Sequence, residues 1–311
     1  MKVTVFGSFA VDMVARTPHL PVAGETVKGI RFRQGAGGKG FNQGIAAHRA
    51  GAQVQMITKL GRDALAQVAL DVMQAEGMET DGLLFHEEAA TGTSLIFVDE
   101  RTSQNEIVIV PGACATITPE DIDRVAPAIA DSGYVLLQLE VNQDANERVA
   151  RFAKEHGVRV IINTAPCQPV SDAFLRDAYL VTPNEVEAEA LTGVRVDDLA
   201  GADRAAEILF QKGVQNVLIT LGARGVYLNC GDGGEILPAY PVHAVDTTGA
   251  GDAFNGGLLA ALAEGKTLPE AARFANAVAA LSVQHVGATD AMPTRAQVEA
   301  FLHLRNEKFG N

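Results

Sequence analysis

The chain has 311 residues, 47% of them hydrophobic and 20% charged, with a formal net charge of −13, the make-up of a globular protein with a core large enough to fold unaided. The acidic balance and the lack of a basic cluster argue against nucleic acid or an anionic membrane as the main partner, and no run approaches the roughly 18 apolar residues of a membrane helix. Cys114, Cys167 and Cys230 are scattered without a CxxC pair, which reads as reduced thiols in a cytoplasmic protein rather than a disulfide framework.

In chain order, Met1–Gly7 reads as a short apolar strand, too quickly interrupted for a signal peptide. Val11–Arg33, with Pro18, Pro21 and Gly24, and Thr93–Ile109 read as extended, hairpin-like pieces; Ser94–Val98 and Ile107–Val110 flank a polar turn at Asp99–Asn105. These pieces form either a small sheet of their own, usable as a lid, or edge strands of a larger one. Between them, Gly35-Ala-Gly-Gly-Lys-Gly-Phe-Asn-Gln-Gly44 leads into a helix over Ile45–Ala50. Gly35, Gly37 and Gly40 fit a dinucleotide fingerprint, but the upstream segment is no βαβ start. Nor is this a Walker A loop, because Lys39 is followed by Gly40. A tight turn remains, where a polyol can lie against the backbone with Lys39 and Asn42 as hydrogen-bonding groups.

Asp63–Glu76 carries Leu65, Val68, Ala69, Val72 and Met73 on one helical face and stops at Gly77. Thr118-Pro-Glu-Asp121 supplies a capping hydroxyl, a first-turn proline and two acids at a second helix start. Strand-like runs Tyr134–Leu139, Val158–Asn163, Tyr179–Thr182 and Asn216–Leu221 then alternate with helical patterns such as Asn142–His156 and Ala202–Lys212. That rhythm predicts a mostly parallel sheet covered on both faces. Glu140 follows the first of these strands, at the C-terminal edge where ligands of open α/β folds collect. Asn184-Glu-Val-Glu187 fits a capping box and equally a water-mediated magnesium site. The last third, from Gly251 to about Leu304, is largely helical, broken at Gly265–Pro269 and around Gly287–Pro293.

The most informative segment is Asp246-Thr-Thr-Gly-Ala-Gly-Asp-Ala-Phe-Asn-Gly-Gly257, after a strand-like Val242–Val245 and at the head of a helix. Glycines at a helix N-terminus let backbone amides converge on an anion, aided by the helix dipole. Asp252 stands at the mouth of that cup, where a carboxylate can take a proton from an attacking hydroxyl. In an isolated Gly-x-Gly-Asp the aspartate would more often be only a helix cap.

Together these segments resemble the ribokinase-type, or PfkB, family of carbohydrate kinases, nearly end to end and in order. The resemblance is carried by Gly7-Ser8 through Asp12, Gly37-Gly-Lys-Gly-Phe-Asn42, Gln138-Leu-Glu140, Asn163-Thr-Ala-Pro166, Thr182-Pro-Asn-Glu185 with Glu187, Thr220-Leu-Gly222 and Asp246–Gly257. It implies a single doubly wound α/β kinase domain over residues 1–311, with a small β-sheet lid from about 11–33 and 94–109. It implies transfer of the γ-phosphate of ATP, with Mg²⁺, to a primary hydroxyl of a pentose or related small sugar. Asp252 would be the base, and the amides of Gly249, Ala250, Gly251 and Asp252 the anion hole. Sugar contacts would come from Asp12, Gly38, Lys39, Asn42 and Glu140. Nucleotide contacts would fall on Asn184, Thr220, Gly222, Gly225 and Asn276, and magnesium on Glu187 through water. A monovalent cation, K⁺, would sit with Asp246, Thr248, Val283, Val286 and Ala288. A homodimer through the lid is also implied.

The chain departs from the family pattern at Ala10, where ribokinases usually carry an asparagine that bonds a sugar hydroxyl. Similar deoxyribokinases have an apolar residue there, so the expected substrate is one other than plain ribose: a deoxypentose, a larger sugar or a nucleoside. Phe9 and Phe41 are further departures expected beside the sugar. A non-catalytic sugar or nucleotide sensor would have lost Asp252 or its glycines, and both are present. A nicotinamide-dependent oxidoreductase rests on the Gly35–Gly40 match alone.

Overall fold

The computed structural model describes the backbone of residues 1–102 and 104–309, and side chains as far as Arg305; Ser103, within the turn expected at 99–105, lies outside the described residues. The first third contains β1 (Lys2–Phe6), β2 (Ala10–Thr17), β3 (Arg31–Gly37), α1 (Lys39–Arg49), β4 (Gln53–Gly61), α2 (Ala66–Glu76), β5 (Leu83–His86), β6 (Thr93–Asp99) and β7 (Asn105–Val110). Alternation follows through α3 (Pro119–Ala130), β8 (Tyr134–Leu137), α4 (Gln143–Glu155), β9 (Arg159–Ile162), α5 (Asp172–Arg176), β10 (Ala178–Val181), α6 (Glu185–Thr192), α7 (Leu199–Gln211) and β11 (Val217–Thr220). A hairpin of β12 (Val226–Asn229) and β13 (Gly234–Leu237) precedes α8 (Ala250–Ala263), α9 (Leu268–Ser282) and α10 (Arg295–Phe309).

Among the described residues the main sheet runs β13-β12-β11-β10-β9-β8-β1-β4-β5. It is parallel from β5 to β11, and only the β12–β13 hairpin turns antiparallel. Period-2 alternation sorts its side chains into two cores. Val3, Val5, Leu136, Ile161, Leu180 and Leu218 face α1, α8 and α9. Phe6, Val135, Leu137, Ile162, Val217 and Ile219 face α3, α4 and α7. This is the doubly wound arrangement, and it lines up the ends of β1, β8, β9, β10 and β11 along one edge.

The extended pieces form a separate sheet, β3-β2-β6-β7. β2 pairs antiparallel with β3 and parallel with β6, and β6 pairs antiparallel with β7. The choice between lid and edge strand is thus settled for a distinct small sheet.

Several boundaries differ from expectation. The helix expected over Ile45–Ala50 begins at Lys39, so Gly40, Asn42 and Gly44 are helical. Gly38 (φ 87°) makes the turn that replaces a polar cap there, with Phe9 and Ala10 backbone against it. The Asp63–Glu76 helix begins at Ala66, because the Asp63 carboxylate accepts from the amides of Leu65 and Ala66 ahead of the first turn. The Ala202–Lys212 helix starts earlier, at Leu199, where Asp198 caps Gly201. Val242–Val245 is no strand: the amides of Val245 and Asp246 both donate to the Val283 carbonyl instead of a neighbouring strand.

One buried cation ties the main sheet to α3. Lys59 of β4 is 3% exposed and donates to Thr116 O (2.8 Å) and Asp121 Oδ2 (2.5 Å), while Asp121 also closes the Thr118 capping box. Removing the carboxylate strands a buried ammonium, whereas removing the lysine leaves Asp121 bonded to the Thr118 amide. Asp121→Ala is therefore expected to cost about 3 kcal/mol of stability and Lys59→Met roughly half as much, read by urea denaturation. Equal losses would contradict this asymmetry.

Candidate active site

A cavity lies between the lid and the C-terminal edge of the main sheet. It gathers Asp12 from β2, Gly38 and then Lys39 and Asn42 from α1, Glu140 after β8, and Thr248, Gly249 and Asp252 at the start of α8. Asp252 and every sugar contact implied by the resemblance are in this one place. Phe9, Ala10, Ile107 and Ile109 give the lid side of the cavity an apolar wall. Phe41, expected beside the sugar, is instead in the core, edge-on to Phe9 at 4.9 Å.

Asp252 is 6% exposed. Its Oδ2 accepts from Asn42 Nδ2 (3.0 Å) and its Oδ1 from Gln43 Nε2 (2.9 Å), so the two glycine-rich segments meet at this carboxylate. Burial pushes its pKa up, against the opposing pull of the Lys39 ammonium and the two amide bonds. Lys39 is also desolvated, yet Asp252, Glu140 and Glu187 hold it above its ordinary value. Burial likewise raises Asp12, opposed by a hydrogen bond from Ser94. Glu140 Oε2 accepts from Ser8 Oγ (2.6 Å) and the Lys39 amide (2.8 Å), locking the end of β1 to the head of α1.

At the head of α8, Gly249 adopts φ 74°, a left-handed turn with Ala288 packed against it. First-turn amides have no intrahelical acceptor, and those of Gly251 and Asp252 belong to that turn. The Ala250 amide instead reaches back to Thr247 O (3.2 Å).

The Asp246 carboxylate bridges two loops, accepting from Thr248 N and Gly287 N at 2.9 Å each. Those bonds hold its pKa below the usual range although burial opposes them. The Val283 carbonyl, expected to face a cation, already accepts two amides and so has both lone pairs engaged.

The remaining candidates lie along the same sheet edge, outside the cavity. Asn184 and Glu187 form the expected capping box, and Glu187 (7% exposed) also accepts from Thr164 Oγ1 (3.3 Å). Burial raises the Glu187 carboxyl against the Asn184 amide. Thr220 bridges to Asn184, Gly222 opens the turn after β11 and Gly225 closes it. Asn276 is buried, and its amide donates to Leu237 O (3.4 Å) and Pro238 O (3.2 Å), a bracing role at the exit of β13. Sequence reasoning assigned no role to Gln43, Ser8 or Ser94, although the first two stand in segments it singled out. The adjacent polar pair Asn42-Gln43, within the otherwise small and apolar stretch 40–47 of α1, was the signal for the first.

Residues 1–295 match the pfkB family carbohydrate kinases. The chain belongs to the PfkB family. It is 40% identical over 299 residues to a ribokinase of Haemophilus influenzae, covering 96% of this chain and 97% of that protein. It is 35% identical over 305 residues to a deoxyribokinase of Salmonella typhi, covering 98% and 99%. Arabidopsis thaliana ribokinase, solved with ribose and ATP, superposes with a TM-score of 0.90 at 31% identity, over 96% of this chain and 98% of that one. This PfkB member is an ATP-dependent carbohydrate kinase. No helix among its described residues is long and apolar enough to cross a membrane.

Proposed function

We propose that this kinase phosphorylates the primary hydroxyl, O5, of a pentose or closely related sugar, with Asp252 as general base. The observation that carries the reading is the buried Asp252 carboxylate, held by two amides at the N-terminus of α8 and opening on a cavity that also contains Asp12, Lys39 and Glu140. Asp12, Lys39 and Glu140 orient the sugar; its O5–H proton passes to Asp252 as O5 bonds the γ-phosphorus and the bond to the β-phosphate oxygen breaks, releasing ADP. Free amides of Gly249, Gly251 and Asp252 stabilise the charge on the transferring group. Closure of the lid excludes water and limits ATP hydrolysis. We take residues 1–311 as one cytoplasmic kinase domain with lid segments at 11–33 and 94–109.

Asn184, Thr220, Gly222 and Gly225 lie where an adenine nucleotide would follow the sheet edge, with Asn276 supporting that wall from behind. Among the described residues no group of three or more His, Cys, Asp or Glu side chains is arranged to hold an ion. Glu187 is the residue that would meet Mg²⁺, through water, where the ion accompanies the phosphates. Asp246 with the carbonyls of Thr248, Val286 and Ala288 would hold K⁺, since Asp246 already draws those loops together; a cation there would add charge stabilisation for the transferring group. Replacing K⁺ by tetramethylammonium is expected to lower turnover several-fold in the wild type and not in Asp246→Asn. Equal activity in both salts would remove the cation from the proposal.

Ala10 directs the reading toward a deoxypentose, because its methyl group offers no partner to a hydroxyl on the lid side. An ADP-release assay over ribose, 2-deoxyribose, hexoses and nucleosides tests the function. ADP release with nucleosides alone would favour nucleoside kinase activity, and nucleotide or sugar binding without ADP release would mark a sensor. A homodimer through the lid is supported by the exposed row Ile107, Val108, Ile109 and Val110 on β7, one of the two edge strands of the lid sheet; sedimentation of a monomer at micromolar concentration would oppose it.

A further inference from the structure

Behind Asp252 lies a chain of carboxamides that the proposed chemistry leaves unused. Gln43 is fully buried, and its Nε2 donates both to Asp252 Oδ1 and to Asn163 Oδ1, at 2.9 Å each. Its Oε1 accepts from Gln138 Nε2 (2.8 Å), and Asn163 Nδ2 donates on to Thr182 O (3.1 Å). A carboxylate only accepts, so the nitrogen of Gln43 must face Asp252; each amide then fixes the flip of the next, ending on a backbone carbonyl. Gln138 Oε1 is left buried with no partner. An orphaned acceptor is a standing cost, and it is tolerated where the other end of the same amide holds Gln43 in place.

We infer that Gln43 is a positioning residue that fixes the orientation of the Asp252 carboxylate toward the acceptor hydroxyl. The inference rests on the reading of Asp252 as the base. Asn42 holds the second oxygen and is itself fixed by Thr289 Oγ1 (2.6 Å), but it lines the cavity and is placed to meet the sugar. Gln43 is not among the cavity-lining residues, and Asp252 is the one of its three side-chain partners that is. It differs from a structural amide in one respect: its loss should slow the chemical step without weakening sugar or nucleotide binding.

The test is steady-state kinetics of Gln43→Met and Gln43→Glu with Asp252→Asn as reference. Gln43→Met keeps the volume and removes the donor; kcat is expected to fall roughly 10- to 30-fold, with the KM of sugar and of ATP within a factor of about three. The acid limb of kcat should also move to higher pH, because a hydrogen bond that favoured the ionised base is gone. The other charged groups facing Asp252, namely Lys39 on α1, Glu140 after β8, Asp12 on β2 and Glu187 on α6, are unchanged in that comparison. Gln43→Glu keeps the shape and should move the limb further, by setting a second carboxyl against the first. Wild-type kcat and pH profile in a folded variant, or a rise in sugar KM with kcat retained, overturns the inference. Should both variants fail to fold, Gln138→Met, which releases the far end of the Gln43 amide, decides by the same readouts. Full turnover in Asp252→Asn instead removes the base assignment; an inactive Asp252→Asn beside a normal Gln43→Met removes only the positioning role.

Discussion

Asp252→Asn is expected to lower kcat by roughly 10²- to 10⁴-fold, the range seen when a positioned proton acceptor is lost, while the KM values for sugar and ATP change by no more than a few-fold. Asparagine matches the carboxylate in size, so α8 and the Gly249 turn should persist. It cannot accept from both Asn42 and Gln43 as the carboxylate does, and it has no capacity to take up the hydroxyl proton. The wild-type pH profile carries the same information with a definite sign. Burial raises the Asp252 pKa above the ordinary carboxylate range although Lys39, Gln43 and Asn42 oppose it. The base works ionised, so turnover is present above that raised pKa and is lost as pH falls through it. The acid limb of kcat should therefore lie above the ~3.9 of a free aspartate and vanish from the residual activity of the variant. Near-normal turnover in Asp252→Asn would refute the assignment.

What the sequence disclosed and what it hid divide by the range of the interactions. The doubly wound sheet was legible because β8 to β11 are short apolar runs separated by helical periods, a local pattern. The head of α8 was legible for the same reason: glycines, a carboxylate and a helix in one unbroken segment. The lid was open to either reading, since its decisive contact is the parallel pairing of β2 with β6, residues such as Val11 and Thr93 far apart in the chain. Val242–Val245 misled because an apolar run carries no sign of whether a ladder is available; Val245 is 59% exposed and its amide turns to Val283. Gln43 was missed because its partners Asn163 and Asp252 lie 120 and 209 residues away. A polar residue on a helix declares itself buried and paired only when the fold brings those elements together.

Ala10→Asn is expected to shift the ratio of kcat/KM for ribose over 2-deoxyribose by roughly 100-fold toward ribose, from a wild type that favours the deoxy sugar. Ala10 opens β2 opposite Gly37, is 6% exposed and lines the cavity beside Phe9 and Ile107. Asp12, two residues further along the same strand, lines that cavity as well, as do Lys39 and Glu140. A hydroxyl turned toward Ala10 gives up water and gains no partner, whereas a CH₂ there loses nothing and covers apolar surface. An asparagine reverses both terms: it offers the hydroxyl a hydrogen bond and leaves its own amide unpaired against the deoxy sugar. Sites that bond a hydroxyl discriminate far more strongly than sites that merely exclude one, so the change should exceed what added bulk alone produces. Ala10→Leu supplies bulk without the amide and separates the two causes, since it should weaken both sugars and leave their ratio within a few-fold. A wild type with strong preference for ribose, or an Ala10→Asn ratio unchanged from it, would place the control of specificity elsewhere in the cavity.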